Sequence, residues 1–120
     1  MFKTVCLLKR RPGMSFEDFK DYYETHHRKI GEKVLPHGVR YMRRYMEAVP
    51  NPVTGESAEL EYDVLTEMWF DDQDAYDVAM AALSEPAIAA EIIEDEEKLF
   101  DRSKIRFCTI EEHETNWLEV

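Results

Sequence analysis

Apolar positions in this chain alternate at period two in four short segments, and between them recur at spacings of three and four. Phe2–Lys9 is the first alternating segment. Phe2, Thr4, Cys6 and Leu8 share one face, Val5 and Leu7 the other. Both faces are largely apolar, which predicts a central strand covered on both sides. Pro12-Gly13 then marks a turn, and Ser15 has the chemistry of a helix N-cap, with acidic Glu17 and Asp18 in the first turn. Phe16, Phe19, Tyr23, His27, Ile30 and Val34 follow as one stripe, predicting a helix over Phe16–Lys33 that is stopped by Pro36-His37-Gly38.

Val39–Glu47 reads as the second strand, with Val39, Tyr41, Arg43 and Tyr45 alternating against Arg40, Met42, Arg44 and Met46. Residues 49–61 hold Pro50, Asn51, Pro52 and Gly55 and predict a long loop of the kind used as a lid or interface arm. The third strand spans Tyr62–Phe70. Leu65, Glu67 and Trp69 share one face, and Val64, Thr66, Met68 and Phe70 the other. A helix begins near Asp71-Asp72 with Tyr76, Ala79, Met80 and Leu83 inward. Ser84 and Pro86 break it and start another, whose apolar side is Ile88, Ile92 and Leu99 or Phe100. Ser103–Ile110 is the last strand, and the acidic tail from Glu111 reads either as a mobile end or as a strand added to a partner.

The order is β-α-β-β-α-β with the second helix split, in one domain over residues 1–120. That predicts an α+β, ferredoxin-like fold: a four-stranded antiparallel sheet with helices on one face. Alternate strand positions are apolar on both faces, and no second layer remains to cover the far side. The expected solution is a homodimer in which two sheets close face to face with twofold symmetry.

Charge sharpens this picture. The net charge of −11 argues against nucleic acid as a partner. No apolar run approaches the ~20 residues that span a bilayer. No signal peptide is evident, so a cytoplasmic location is the default. Basic residues gather in the first 44 positions, while Glu91, Glu94, Asp95, Glu96, Glu97 and Asp101 crowd the other half. Two readings stand: complementary halves across a subunit contact, or a solvated acidic helix end. Cys6 and Cys108, without CxxC spacing, read as small buried hydrophobes.

At this point the chain resembles the EthD family of the dimeric α+β barrel superfamily. The residues that carry the likeness are Lys9–Phe19 and Tyr22–His27, then Glu67–Asp72 with Ala75-Tyr76, and Asp95–Asp101, in the family's order. The family pattern has one histidine near the end of the first helix, and His27 falls on it. A small residue and often a proline come next in that pattern, where this chain has Arg28-Lys29. The resemblance implies a small protein without a bound cofactor. Some members resemble accessory proteins of ether degradation, and others act as decarboxylases or dehydratases on aromatic polyketide intermediates.

Candidate chemistry centres on His27, whose imidazole exchanges a proton near neutral pH. As a core histidine, it would instead donate to a backbone carbonyl. His26 lies on the edge of the stripe, at the rim. Glu67 and Trp69 form a second candidate pair, since a carboxylate on an apolar strand face is costly unless paired, for instance with a strand arginine. Tyr41 and Arg43 share a face, one able to donate to a carbonyl oxygen and the other to hold a carboxylate.

The expected pocket lies between sheet and helix, lined by Phe16, Tyr23, Tyr41 and Met68 or Trp69. No cofactor and no metal are expected: adjacent His26 and His27 point about 100° apart, and no glycine-rich phosphate loop exists. The leading reading is proton transfer on a hydrophobic, carbonyl-containing small molecule. The alternatives are a non-catalytic ligand-binding or accessory protein, and a cofactor-free or haem-degrading monooxygenase.

Overall fold

The computed structural model describes residues 1–35 and 37–119, with Val34 described by its backbone alone. The expected helix stop at Pro36 and the side chain of Val34 in the helical stripe lie outside the described residues. Strands β1 (Phe2–Leu8), β2 (Gly38–Tyr45), β3 (Val64–Phe70) and β4 (Arg106–Thr109) form one antiparallel sheet in the order β2-β3-β1-β4. That is the ferredoxin-like order, and β1 is central as its two apolar faces predicted.

Among the described residues, helices α1 (Phe16–Tyr22), α2 (Arg28–Val34), α3 (Gln73–Leu83) and α4 (Pro86–Glu97) pack on one face. The starts of α1, α3 and α4 have the caps their sequences announce. Ser15 accepts from the Asp18 amide, Asp72 from the Ala75 amide, and Glu85 from the Ala87 and Ile88 amides beside Pro86. Gly13 takes the left-handed backbone (φ 83°) that the turn before α1 requires.

The register divides the sheet into two faces. Thr4, Cys6 and Leu8 stand opposite Met68, Thr66 and Val64, which stand in turn opposite Tyr41, Arg43 and Tyr45. This inner face meets the helices, and Cys6, Leu8, Phe19, Tyr23, Val64, Leu99 and Phe100 form the core. The outer face carries Lys3, Val5 and Leu7, then Leu65, Glu67 and Trp69, then Arg40, Met42 and Arg44.

Several bounds differ from expectation. β3 starts at Val64 because buried Asp63 turns the chain: its carboxylate accepts from the Arg10 amide at 2.9 Å and lies 3.6 Å from Lys9 Nζ. β4 is four residues long, since Arg102–Lys104 forms a 3₁₀ turn capped by Asp101 and only one side of the strand is paired. Cys108, on this short edge strand, is exposed rather than buried, whereas Cys6 is buried as expected.

The largest difference lies in the first helix. Between α1 and α2 the rod runs on through a π-turn over Tyr23–His27. The extra residue rotates the remainder of the rod, so Ile30, Gly31 and Leu35 face the sheet after it. The molecule measures 49 × 43 × 23 Å, and its radius of gyration of 16.4 Å exceeds the ~14 Å of a compact 120-residue domain. The 49–59 loop and the 111–119 tail stand exposed throughout.

Candidate functional site

A cavity of about 250 Å³ lies between the inner sheet face and the helices. The π-turn and α2 supply His27, Ile30 and Gly31, and α4 supplies Ile92 and Glu96. The strands supply Cys6, Tyr41, Thr66 and Met68. A neighbouring cavity of about 290 Å³ reaches Thr4, Tyr76 and Met80, and shares Met68, Leu83 and Phe107 with the first.

His27 enters this cavity from the π-turn. Its Nδ1 meets Asp95 Oδ2 at 2.8 Å. Asp95 is 7% exposed, and its other oxygen accepts from the Tyr22 hydroxyl at 2.5 Å. A carboxylate only accepts, so Nδ1 carries the proton of the neutral ring and Nε2 is left as the basic nitrogen. Tyr23 and Phe100 clamp the imidazole edge to face, at 5.2 and 5.1 Å. Partial burial and donation to Asp95 push the Tyr22 phenol up to about 12, so that hydroxyl remains a donor at neutral pH.

A hydroxyl chain joins the π-turn to the sheet in the wall of the same cavity. Tyr23 Oη lies 2.8 Å from Thr66 Oγ1 and 3.3 Å from Tyr41 Oη. Burial raises the Tyr23 phenol well above its ordinary range and raises Tyr41 as well, so both stay protonated donors. Gly31 makes room for Tyr41: a Cβ there would sit 3.0 Å from the Tyr41 hydroxyl and 3.1 Å from two ring carbons. Glu96 adds a carboxylate to the cavity wall, 3.4 Å from Arg102 Nε. Burial, with the Glu96 charge adding to it, pushes the Cys6 thiol up to about 12, which removes it as a nucleophile at neutral pH.

His27, Tyr41, Tyr23 and Met68 therefore meet in one cavity, as the sequence reading expected. Five other expected residues lie elsewhere. Glu67 and Trp69 occupy the outer sheet face. Glu67 stands opposite Val5 and Met42, whereas Tyr41 stands opposite Met68, and the alternation of a strand cannot bring both inward. Glu67 pairs instead with Arg44 at 3.2 Å.

Arg43 faces inward but is already occupied: Nε and Nη2 each donate to a Glu24 oxygen at 2.8 Å, and it does not line the cavity. Phe16 packs on Phe19 and Tyr45, away from the cavity. His26 is exposed, stacked on Tyr22 at 4.7 Å and bonded to Thr25 at 2.7 Å.

Asp95 and Glu96 are functional candidates that the sequence left in either a subunit contact or a solvated acidic helix end. The signal was present: from Ile88 and Ile92, the next inward positions at spacings of three and four are Asp95 and Glu96, before Leu99. Among the described residues, no three His, Cys, Asp or Glu side chains gather closely enough to ligate a metal. No helix among them is long and apolar enough to cross a membrane.

Residues 11–103 match the family model for the EthD domain. Among solved structures, an ethyl tert-butyl ether D (EthD) family protein from Bacillus halodurans C-125 is similar, at 18% identity and a TM-score of 0.63. The match covers 94% of this chain and 100% of that one. HapK from Hahella chejuensis is similar at 12% identity and 0.61, covering 98% and 97%. The protein At3g17210 from Arabidopsis thaliana is similar at 14% identity and 0.60, covering 97% and 99%. No curated protein matches the chain.

Proposed function

The chain belongs to the EthD family, and from that premise we propose that it moves a proton on a hydrophobic, carbonyl-containing small molecule, with His27 Nε2 as the base. The observation that carries this reading is the Asp95 carboxylate on His27 Nδ1. A histidine kept only for packing needs a single backbone carbonyl. Here a buried anion, itself held by Tyr22, fixes the tautomer and the ring orientation, leaving Nε2 free to take a proton.

The ligand sits against Met68 and Ile92 with its carbonyl oxygen toward Tyr41. His27 Nε2 removes a proton from the carbon beside that carbonyl. The electron pair moves to oxygen, where the neutral Tyr41 phenol, backed by Tyr23 and Thr66, donates a hydrogen bond to the enolate. The imidazolium then returns the proton at a different carbon, giving isomerisation, or to a departing oxygen, giving dehydration. A β-keto carboxylate reaches the same enolate by losing carbon dioxide, the C–C electron pair passing to the carbonyl oxygen, and the enolate carbon then takes a proton that His27 has drawn from solvent. The adjoining cavity favours a ligand longer than a single ring, extending past Met68 and Leu83 toward Tyr76.

The same reading includes a homodimer closed across the outer sheet face. Its support is the half-buried apolar row of Leu7, Met42, Leu65 and Trp69 on a molecule only 23 Å deep.

Solvent exchange tests the chemistry. In heavy water, benzoylacetone is expected to lose its α-proton faster with the protein than without, by NMR, and His27→Ala is expected to abolish the acceleration while leaving the protein folded. If the probe binds by fluorescence and exchange stays at the solvent rate, the carrier reading replaces this one.

A further inference from the structure

A chain with net charge −11 presents a basic sheet face. On its outer side the described strands carry Lys3, Arg40, Arg44 and Arg106 against Glu67, and the tail adds Glu112 on Lys3. Arg44 uses Glu67. Arg40 and Arg106 have no carboxylate within ion-pair distance among the described residues. Arg40 stacks on the Trp69 ring at 4.7 Å, with Lys3 at 3.9 Å, while Arg106 donates to the carbonyls of Ser103 and Ile105. The Trp69 indole Nε1–H is sealed from water and has no acceptor among the described residues. Two such faces brought together would place like charges opposite one another, so a face-to-face dimer needs anions between its sheets.

The anions are on the tail. Residues 111–119 hold Glu111, Glu112, Glu114 and Glu119 and no lysine or arginine. They leave the sheet from the edge strand β4, and Glu112 already pairs with Lys3 of its own chain. Trp117 and Leu118 stand 79% and 97% exposed at the far end. Nine residues reach up to about 30 Å, and four strands span about 15 Å, so the arm is long enough to cross a neighbouring sheet.

We infer that the acidic arm of a second copy of this chain, residues 111–119, lies across the basic sheet face, so that the dimer is held by exchanged arms. The partner's glutamates meet Arg40 and Arg106. Trp117 and Leu118 cover apolar surface that a lone chain leaves in water. This rests on the homodimer reading above.

The test is sedimentation velocity over a dilution series at low and high salt. Five chains are compared: the full chain, one ending at Ile110, Arg40→Glu with Arg106→Glu, Glu111→Lys with Glu112→Lys and Glu114→Lys, and one carrying all five changes. The tail is exposed throughout, so its removal leaves the core intact, and thermal melts confirm that each variant folds. Truncation and each separate reversal are expected to weaken the dimer about tenfold or more. The five-fold variant is expected to recover most of that loss, which a merely disruptive surface change cannot do. A truncated chain that dimerises as tightly as the full one, or a folded five-fold variant without recovery, overturns the arm and leaves the dimer standing. A full chain that stays monomeric at micromolar concentration overturns the dimer itself.

Discussion

Two carboxylates, Glu24 and Asp95, each gather a tyrosine and a basic side chain beneath the helices, with different consequences. Glu24 takes two bonds from Arg43 and one from Tyr45 at 2.6 Å. Every group in that network faces another. The Arg43 bonds hold the Glu24 carboxyl below its usual range, and the same contact raises Arg43. Both charges are thus fixed across the working pH range. Asp95 is arranged similarly, with Tyr22 on one oxygen and His27 on the other, but its basic partner is an imidazole that lines the cavity. A closed network of permanent charges joins helix to sheet. An open one ending in imidazole can do chemistry.

The contrast breaks most sharply at His27. His27→Ala is expected to lower turnover by about 10³-fold, the usual range for losing a positioned general base. Asp95→Asn keeps the size of the group but can donate to Nδ1, which favours the wrong tautomer. A loss of about 10²-fold is expected, visible as a changed pH–rate profile with little change in ligand affinity. A folded His27→Ala protein with full turnover would remove the distinction between the two networks.

Glu24→Gln is expected to act on stability alone. Arg43 is left half-buried without its anion, at a cost of about 2 kcal/mol in urea denaturation, discounted from a fully buried pair because Glu24 is 36% exposed. Proton transfer at His27 is unaffected. The sign with pH comes from the lowered carboxyl. The stabilisation is present above the unfolded value of about 4.3 and is lost as pH falls through the lower folded value. The stability gap between the parent and Glu24→Gln is therefore expected to close below about pH 4, and a gap constant down to pH 3 would rule this account out.

Much of this architecture was legible from periodicity. Period two found four strands, and the stripe Phe16, Phe19, Tyr23 and His27 picked the inward histidine of an adjacent pair. Alternation within a strand, however, cannot say which face meets the helices. That depends on register against the neighbours, so Glu67 and Trp69 were grouped with the wrong side. Asp95 was hidden because six acidic residues in eleven positions look like solvent-facing charge, although its spacing from Ile92 is that of the core. The π-turn leaves no mark in residue type at all. Tyr23–His27 is ordinary helical sequence, and the extra residue per turn appears only once Ile30, Gly31 and Leu35 pack against the sheet.

Gly31 offers a finer test of the open network. Alanine favours a helix over glycine by up to about 1 kcal/mol, so on propensity alone Gly31→Ala should stabilise α2. Its Cβ would meet the rigid ring of Tyr41 at 3.0–3.1 Å, and that ring must shift by a few tenths of an ångström. The melting temperature is expected to change by only a few degrees, while kcat/KM falls about tenfold as the Tyr41 hydroxyl leaves the enolate oxygen. Tyr41→Phe should produce the same loss without any steric change. The smallest expected effect is at His26, which differs from its neighbour by one step of helix rotation. It is exposed, bonded to Thr25 and stacked on Tyr22. His26→Ala is expected to shift stability by less than about 0.5 kcal/mol and turnover by less than about twofold. A larger loss of turnover, with Tyr22 still donating to Asp95, would mean that proton transfer reaches past His27 to the surface, and the network around Asp95 would then be open at both ends.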